Sequence, residues 1–111
     1  MDHKLGEFEE MVLLAVAILY RDAYGLSVME EIERQSDRSI MLSSVHKVLM
    51  RLEQKGFLKS QLGGATEERG GRSKRLYSIT ASGKEALKES QEIRNRMWHA
   101  IPDVVWNISL S

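Results

Sequence analysis

Residues 43–80 read SSVHKVLMRLEQKGFLKSQLGGATEERGGRSKRLYSIT. The stretch divides into a helix, a strand, a glycine-rich loop and a second strand. Val45, Val48, Leu49 and Leu52 are spaced 3, 1 and 3 apart, which is one stripe of a helix. Ser43 has the chemistry of an N-cap, and Gly56 suits the position just past a helix end. The spacing therefore predicts a helix from Ser43 to about Lys55. Phe57 to Leu62 follows as a strand, and Lys74 to Ile79 as another, with Tyr77 and Ile79 on one face. Gly63, Gly64, Gly70 and Gly71 lie between them. Two strands around such a segment make a hairpin whose loop is too long for a tight turn.

Upstream, Glu7 to Tyr20 is a helix candidate whose second half is apolar on nearly every side, so it needs cover on more than one face. Asp22-Ala23-Tyr24-Gly25 breaks it. Leu26 to Gln35 reads as a second helix, with Leu26, Met29 and Ile32 as its apolar face and Glu30, Glu31, Glu33 and Arg34 in water. Ser39 to Leu42 is a short extended link. Downstream, Thr80 caps a long helix from Ala81 to about Ala100, which Pro102 kinks or ends. The expected fold is mainly α with a small β-hairpin: a winged helix-turn-helix over residues 1–80, then a long C-terminal dimerisation helix and tail over 81–111. The second and third helices form the helix-turn-helix and the hairpin is the wing.

At 111 residues the chain suffices for one domain with a modest core. It has no cysteine, which excludes disulfides and thiolate metal sites. The longest apolar run, Met11 to Leu19, is about half a membrane span. Glu7, Glu9 and Glu10 precede it where a signal peptide would be basic, so the expected location is the cytoplasm. Net charge is zero, but its distribution is uneven. Residues 1–34 carry eight acids and three bases, whereas residues 43–75 carry eight bases and three acids. Such asymmetry within a small domain points to a polyanionic partner, although clustered solvated charge would look the same.

On the third helix, Ser43, Lys47, Met50 and Gln54 lie opposite the apolar stripe, with His46 and Arg51 on the flanks. This face suits a DNA major groove, with Ser43 and Ser44 near phosphate and His46, Lys47 and Arg51 toward the bases or backbone. An amphipathic helix with a wet basic face remains the plainer alternative. At the wing, Arg69-Gly70-Gly71-Arg72-Ser73-Lys74-Arg75 sets four cations about two glycines. Glycine allows close backbone approach, and the cations match a phosphate backbone.

Several segments together resemble the PadR family of bacterial regulators over nearly the whole chain. They are Leu5-Gly6-Glu7-Phe8-Glu9, Ala23-Tyr24-Gly25, Arg51-Leu52-Glu53-x-x-Gly56, Glu68-Arg69-Gly70-Gly71-Arg72-x-Lys74-Arg75-x-Tyr77 and Ile79-Thr80-x-x-Gly83. The wing segment is the most specific. The resemblance implies a dimeric, short-tailed winged-helix repressor paired through its last helix, of a kind that often responds to a small molecule. An apolar or aromatic effector is therefore an expected partner beside double-stranded DNA and a second copy of the chain. One departure is Val45-His46, where the family usually carries Leu-Tyr; that tyrosine commonly touches DNA. A ligand-lining tryptophan of some relatives aligns with Arg94 rather than Trp98, so its role is not carried over.

Along the last helix, Ala86, Ser90, Ile93, Met97, Ala100 and Val104 are spaced 4, 3, 4, 3 and 4 apart, a short helix-pairing pattern. These six residues are the expected dimer interface. Nothing assembles a catalytic centre: His3, His46 and His99 fall on separate elements without acidic partners at metal-site spacing, and the serines of the third helix lack a neighbouring base. No cofactor or metal is expected. The rival to a sequence-specific operator-binding regulator is a winged-helix module that binds protein instead of DNA.

Overall fold

The computed structural model describes residues 5–63 and 74–108. Helix α1 (Glu7–Leu19) starts at Gly6, whose N–H is taken by the Glu9 carboxylate at 2.8 Å. Glu7, Glu9 and Glu10 occupy its first turn, where the helix dipole favours acids. A single 3-10 turn (Tyr20–Asp22) leads to α2 (Gly25–Ser36) and then α3 (Leu42–Gln54). Strands β1 (Leu58–Leu62) and β2 (Arg75–Ile79) pair antiparallel, with Ser60 opposite Tyr77. Helix α4 (Ala81–Ala100) follows, then the short α5 (Asp103–Trp106). The fold is the expected helix-turn-helix with a hairpin and a long last helix.

The core lies where the three N-terminal helices meet the hairpin. Val12, Leu13 and Val16 of α1 pack with Val28 and Ile32 of α2, with Val45, Leu49 and Leu52 of α3, and with Leu58 and Tyr77 of the hairpin. Each fully buried Leu or Val contributes about 1.5–3 kcal/mol. The third-helix stripe is buried as its spacing predicts. The second helix is different. Val28 and Ile32, four apart, set its buried face; Leu26 points outward and Glu31 is buried. The expected Leu26-Met29-Ile32 stripe follows a spacing of three, which drifts around a helix of 3.6 residues per turn. Glu31 tolerates burial because Arg34 pairs with it and Gln35 Nε2 donates to it at 2.8 Å.

Two helix ends are instructive. Ser43 is not the N-cap of α3. The amides of Ser44 and Val45 donate to the Met41 carbonyl at 3.1 and 3.3 Å, so the helix begins at Leu42 and Ser43 sits within its first turn. At the other end Gly56 has φ +83°. Its N–H reaches Glu53 O, and Phe57 N–H reaches Leu52 O at 2.9 Å, the paired bonds of a Schellman cap that glycine accommodates. Thr80 then locks this corner to α4: its hydroxyl donates to Gly56 O at 2.6 Å and accepts from Gly83 N–H at 3.0 Å. A Cβ on Gly83 would lie 2.3 Å from the Phe57 carbonyl oxygen. The Thr80-x-x-Gly83 spacing thus reflects close contact between the start of α4 and the start of the hairpin.

Only the first turns of α4 pack on the core. Gly83 and Ala86 are buried and Leu87 is partly covered, while 91–100 are exposed throughout. Glu10 of α1 tethers the middle of the helix, through Arg94 Nη2 at 3.1 Å and the Ser90 hydroxyl. The radius of gyration is 17.0 Å, against about 13 Å for a compact chain of this length.

Candidate nucleic-acid interface

The outward side of α3 carries Ser43, His46, Lys47, Met50 and Arg51, all exposed, while Ser44 is half-buried. The helical spacing places Ser43, Lys47, Met50 and Gln54 along the middle of this side. His46 and Arg51 stand on opposite flanks, and each meets a different neighbour. His46 rests against the first residue of α2: a Cβ built on Gly25 would lie 2.3 Å from its Cε1 and 2.9 Å from its Nε2. The imidazole therefore occupies the space a side chain at position 25 would fill. Arg51 turns toward α1, with Nη1 3.9 Å from the Glu9 carboxylate.

Glu9 is the charged anchor behind α3. Its side chain is only 8% exposed and accepts both Lys55 Nζ, at 2.8 and 3.1 Å, and the Gly6 amide. Burial alone would raise its pKa. The Lys55 hydrogen bond, the Gly6 amide and the charges of Lys55 and Arg51 outweigh this and hold the carboxyl below its ordinary value. The C-terminal end of α3 is thereby fastened to the N-terminal end of α1.

The wing root is fixed by a second set of contacts. Tyr77 N–H donates to Ala23 O at 2.8 Å, so β2 runs beside the loop before α2. Lys74 Nζ lies 4.1 Å from the centroid of the Tyr24 ring, a cation–π contact worth about 0.5–1 kcal/mol where solvent reaches it. Arg75 is exposed, but Nη1 donates to Ser60 Oγ at 3.0 Å, and Ser60 donates to Glu53 at 2.8 Å. Arg69 and Arg72 lie outside the described residues.

Tyr24 and Gly25 bring the two halves of the site together. The first holds Lys74 of the wing and the second seats His46 of α3, so both groups meet at the start of α2. The sequence contained the signal, Ala23-Tyr24-Gly25, without revealing these partners. The same holds for Glu9 in Leu5-Gly6-Glu7-Phe8-Glu9.

The residues expected to pair two chains divide along α4. Ala86, expected in that stripe, is buried within its own chain, because the first turns of α4 lie on the core. Ser90 is engaged with Glu10. Ile93, Met97, Ala100 and Val104 are exposed, as are Leu14 and Ile18 of α1. Beyond Pro102 the chain turns back, and Trp106 meets Trp98 with ring centroids 5.1 Å apart.

A family model for the transcriptional regulator PadR-like family matches residues 13–89. The chain belongs to this family. It is a DNA-binding transcriptional regulator of PadR-like type and not an enzyme. No curated protein matches it in sequence. Solved structures share its fold at low identity. A PadR-like transcriptional regulator from Bacillus cereus is 16% identical, with a TM-score of 0.71 over 88% of this chain and 90% of that one. RosR of H. salinarum is 21% identical, with a TM-score of 0.68 over 89% and 82%. The Aeropyrum pernix ORC1 protein, solved in complex with DNA, is 22% identical, with a TM-score of 0.62 over 82% of this chain and 26% of that one. Among the described residues no helix is long and apolar enough to cross a membrane.

Proposed function

We propose that the protein is a cytoplasmic repressor that binds a palindromic operator as a homodimer. The observation that carries this reading is the convergence of His46 and Lys74 on Tyr24–Gly25. Recognition helix and wing root then form one surface, with Ser43 and Lys47 beside His46 on the exposed side of α3. In this role Lys47 and His46 meet base edges, Ser43 and Ser44 lie near phosphate, and Lys74 joins Arg69 and Arg72 on the backbone. Arg51 and Arg75 play a secondary part, since Arg51 faces the Glu9 carboxylate and Arg75 is hydrogen-bonded to Ser60. The ORC1 neighbour, solved in complex with DNA, is consistent with such a surface.

Pairing of two copies accounts for the exposed apolar groups. Ile93, Met97, Ala100 and Val104 of α4, with Leu14 and Ile18 of α1, supply a surface that a second chain would cover. An apolar or aromatic effector would enter where these faces meet and act by changing the separation of the two recognition helices. Incubating the purified protein with random genomic fragments and sequencing those retained tests the proposal. Recovery of one inverted repeat, with half-sites one helical turn apart, is the expected outcome. Retention of fragments without a common motif would overturn it.

A further inference from the structure

Most of the exposed large apolar side chains sit on α1, α4 and the tail, but Met50 does not. It is 58% exposed in the middle of the outward side of α3. Its neighbours one turn away are His46, Lys47, Glu53 and Gln54, all of them polar or charged. Met50 is not part of the core, and among the described residues of α3 no apolar side chain lies one turn from it.

We infer that Met50 reads the 5-methyl group of a thymine in each operator half-site; the inference rests on the DNA-reading role proposed for α3. A long apolar side chain carried into a groove gains only if it shields apolar surface. On the major-groove edges of the four base pairs, the thymine methyl is the apolar group available. Methionine suits the contact, because its unbranched, polarizable thioether adapts to a small target. The polar groups around it complement this, since Lys47 can take guanine O6 or N7. Met50 lies three positions after Lys47, about 4.5 Å along the helix axis. That corresponds to between one and two base-pair steps of about 3.4 Å. The thymine therefore lies one or two base pairs from the Lys47 contact, on the side reached by the third turn of α3.

The test uses synthetic duplexes carrying the operator recovered by fragment selection, with each dT replaced singly by dU so that only the methyl is lost. Wild-type protein and Met50→Ala are titrated against the set. Met50 is exposed, and alanine is a strong helix former, so the variant keeps its fold. For the wild type, one dU position per half-site should weaken binding roughly fourfold, and roughly fifteenfold when both half-sites are changed, the value expected for one buried methyl each. Met50→Ala should bind the thymine and uracil duplexes equally. Wild-type indifference to every dU, with operator binding intact, would overturn the inference and leave the DNA-reading role standing. An equal penalty in both proteins would also overturn it, because another group would then be sensing the methyl. Failure to bind any fragment selectively would remove the underlying role, and the inference with it.

Discussion

Glu9 and Gly25 show how single residues hold α3 in place. Glu9 is a buried carboxylate with two cations and an amide around it. In Glu9→Gln, Lys55 loses its charged partner. Because a third of the Lys55 side chain reaches solvent, the cost should be about 1–2 kcal/mol at pH 7. The folded pKa of Glu9 is depressed, so its contribution is fully present above the unfolded value of about 4.3 and is lost as pH falls through the lower folded value. Chemical denaturation at a series of pH values should show the gap between wild type and Glu9→Gln constant from pH 7 to 5 and shrinking below about pH 4. A gap that persists in acid would mean that shape, not charge, fastens α1 to α3. Gly25→Ala asks a different question. The nearest atoms to the new Cβ are those at the end of the His46 ring, which can rotate away, so melting temperature should hardly move. Operator affinity should fall, because His46 is displaced from its seat. Unchanged affinity, with the ring shown by NMR to have shifted, would remove His46 from the interface.

The elements differ in how plainly the sequence announced them. Helix α4 was legible to the residue at its start, because the Thr80 side chain states a cap in local chemistry. The α3 stripe and its Gly56 end were equally plain. The start of α3 was not: Ser43 has the right side chain for a cap, but the carbonyl of Met41 takes the first amides, a choice made by packing that local sequence does not record. Burial of Glu31 and the pairing of Glu9 with Lys55, 46 residues away, are tertiary facts of the same kind. The candidate site was legible as two basic elements, α3 and the wing, but not as a joined surface, because the joint is made by Tyr24 and Gly25. The two elements should also separate functionally. Lys47→Ala should change preference among related sites, by about 1–3 kcal/mol where it reads a base. Lys74→Ala should weaken all sites alike and flatten the dependence of log K on log salt by about 0.9. Titrations of both variants on operator and scrambled DNA at several salt concentrations check this. Identical behaviour would show that α3 and the wing root do not divide the work.

At the scale of the whole molecule, the single chain leaves an unfinished surface. Met97 is 69% exposed on the half of α4, residues 91–100, whose side chains are all exposed. Covered by a second copy, it would become buried, and a charge there would be stranded at a cost of several kcal/mol. Met97→Asp should therefore sediment as a monomer, keep its fold by circular dichroism, and lose operator binding while retaining weak, salt-sensitive affinity. A dimeric variant with normal operator binding would show that the paired face lies elsewhere. Should two copies meet along α4, the corner at Thr80 acquires a mechanical meaning. Helix α4 has 20 residues, so it is a lever about 30 Å long. A swing of about 10° at its fulcrum would carry the far end about 5 Å, more than one base-pair step of about 3.4 Å. The hydroxyl bridge from Gly56 through Thr80 to Gly83 would then act as a gauge, setting which operator spacing the pair can straddle.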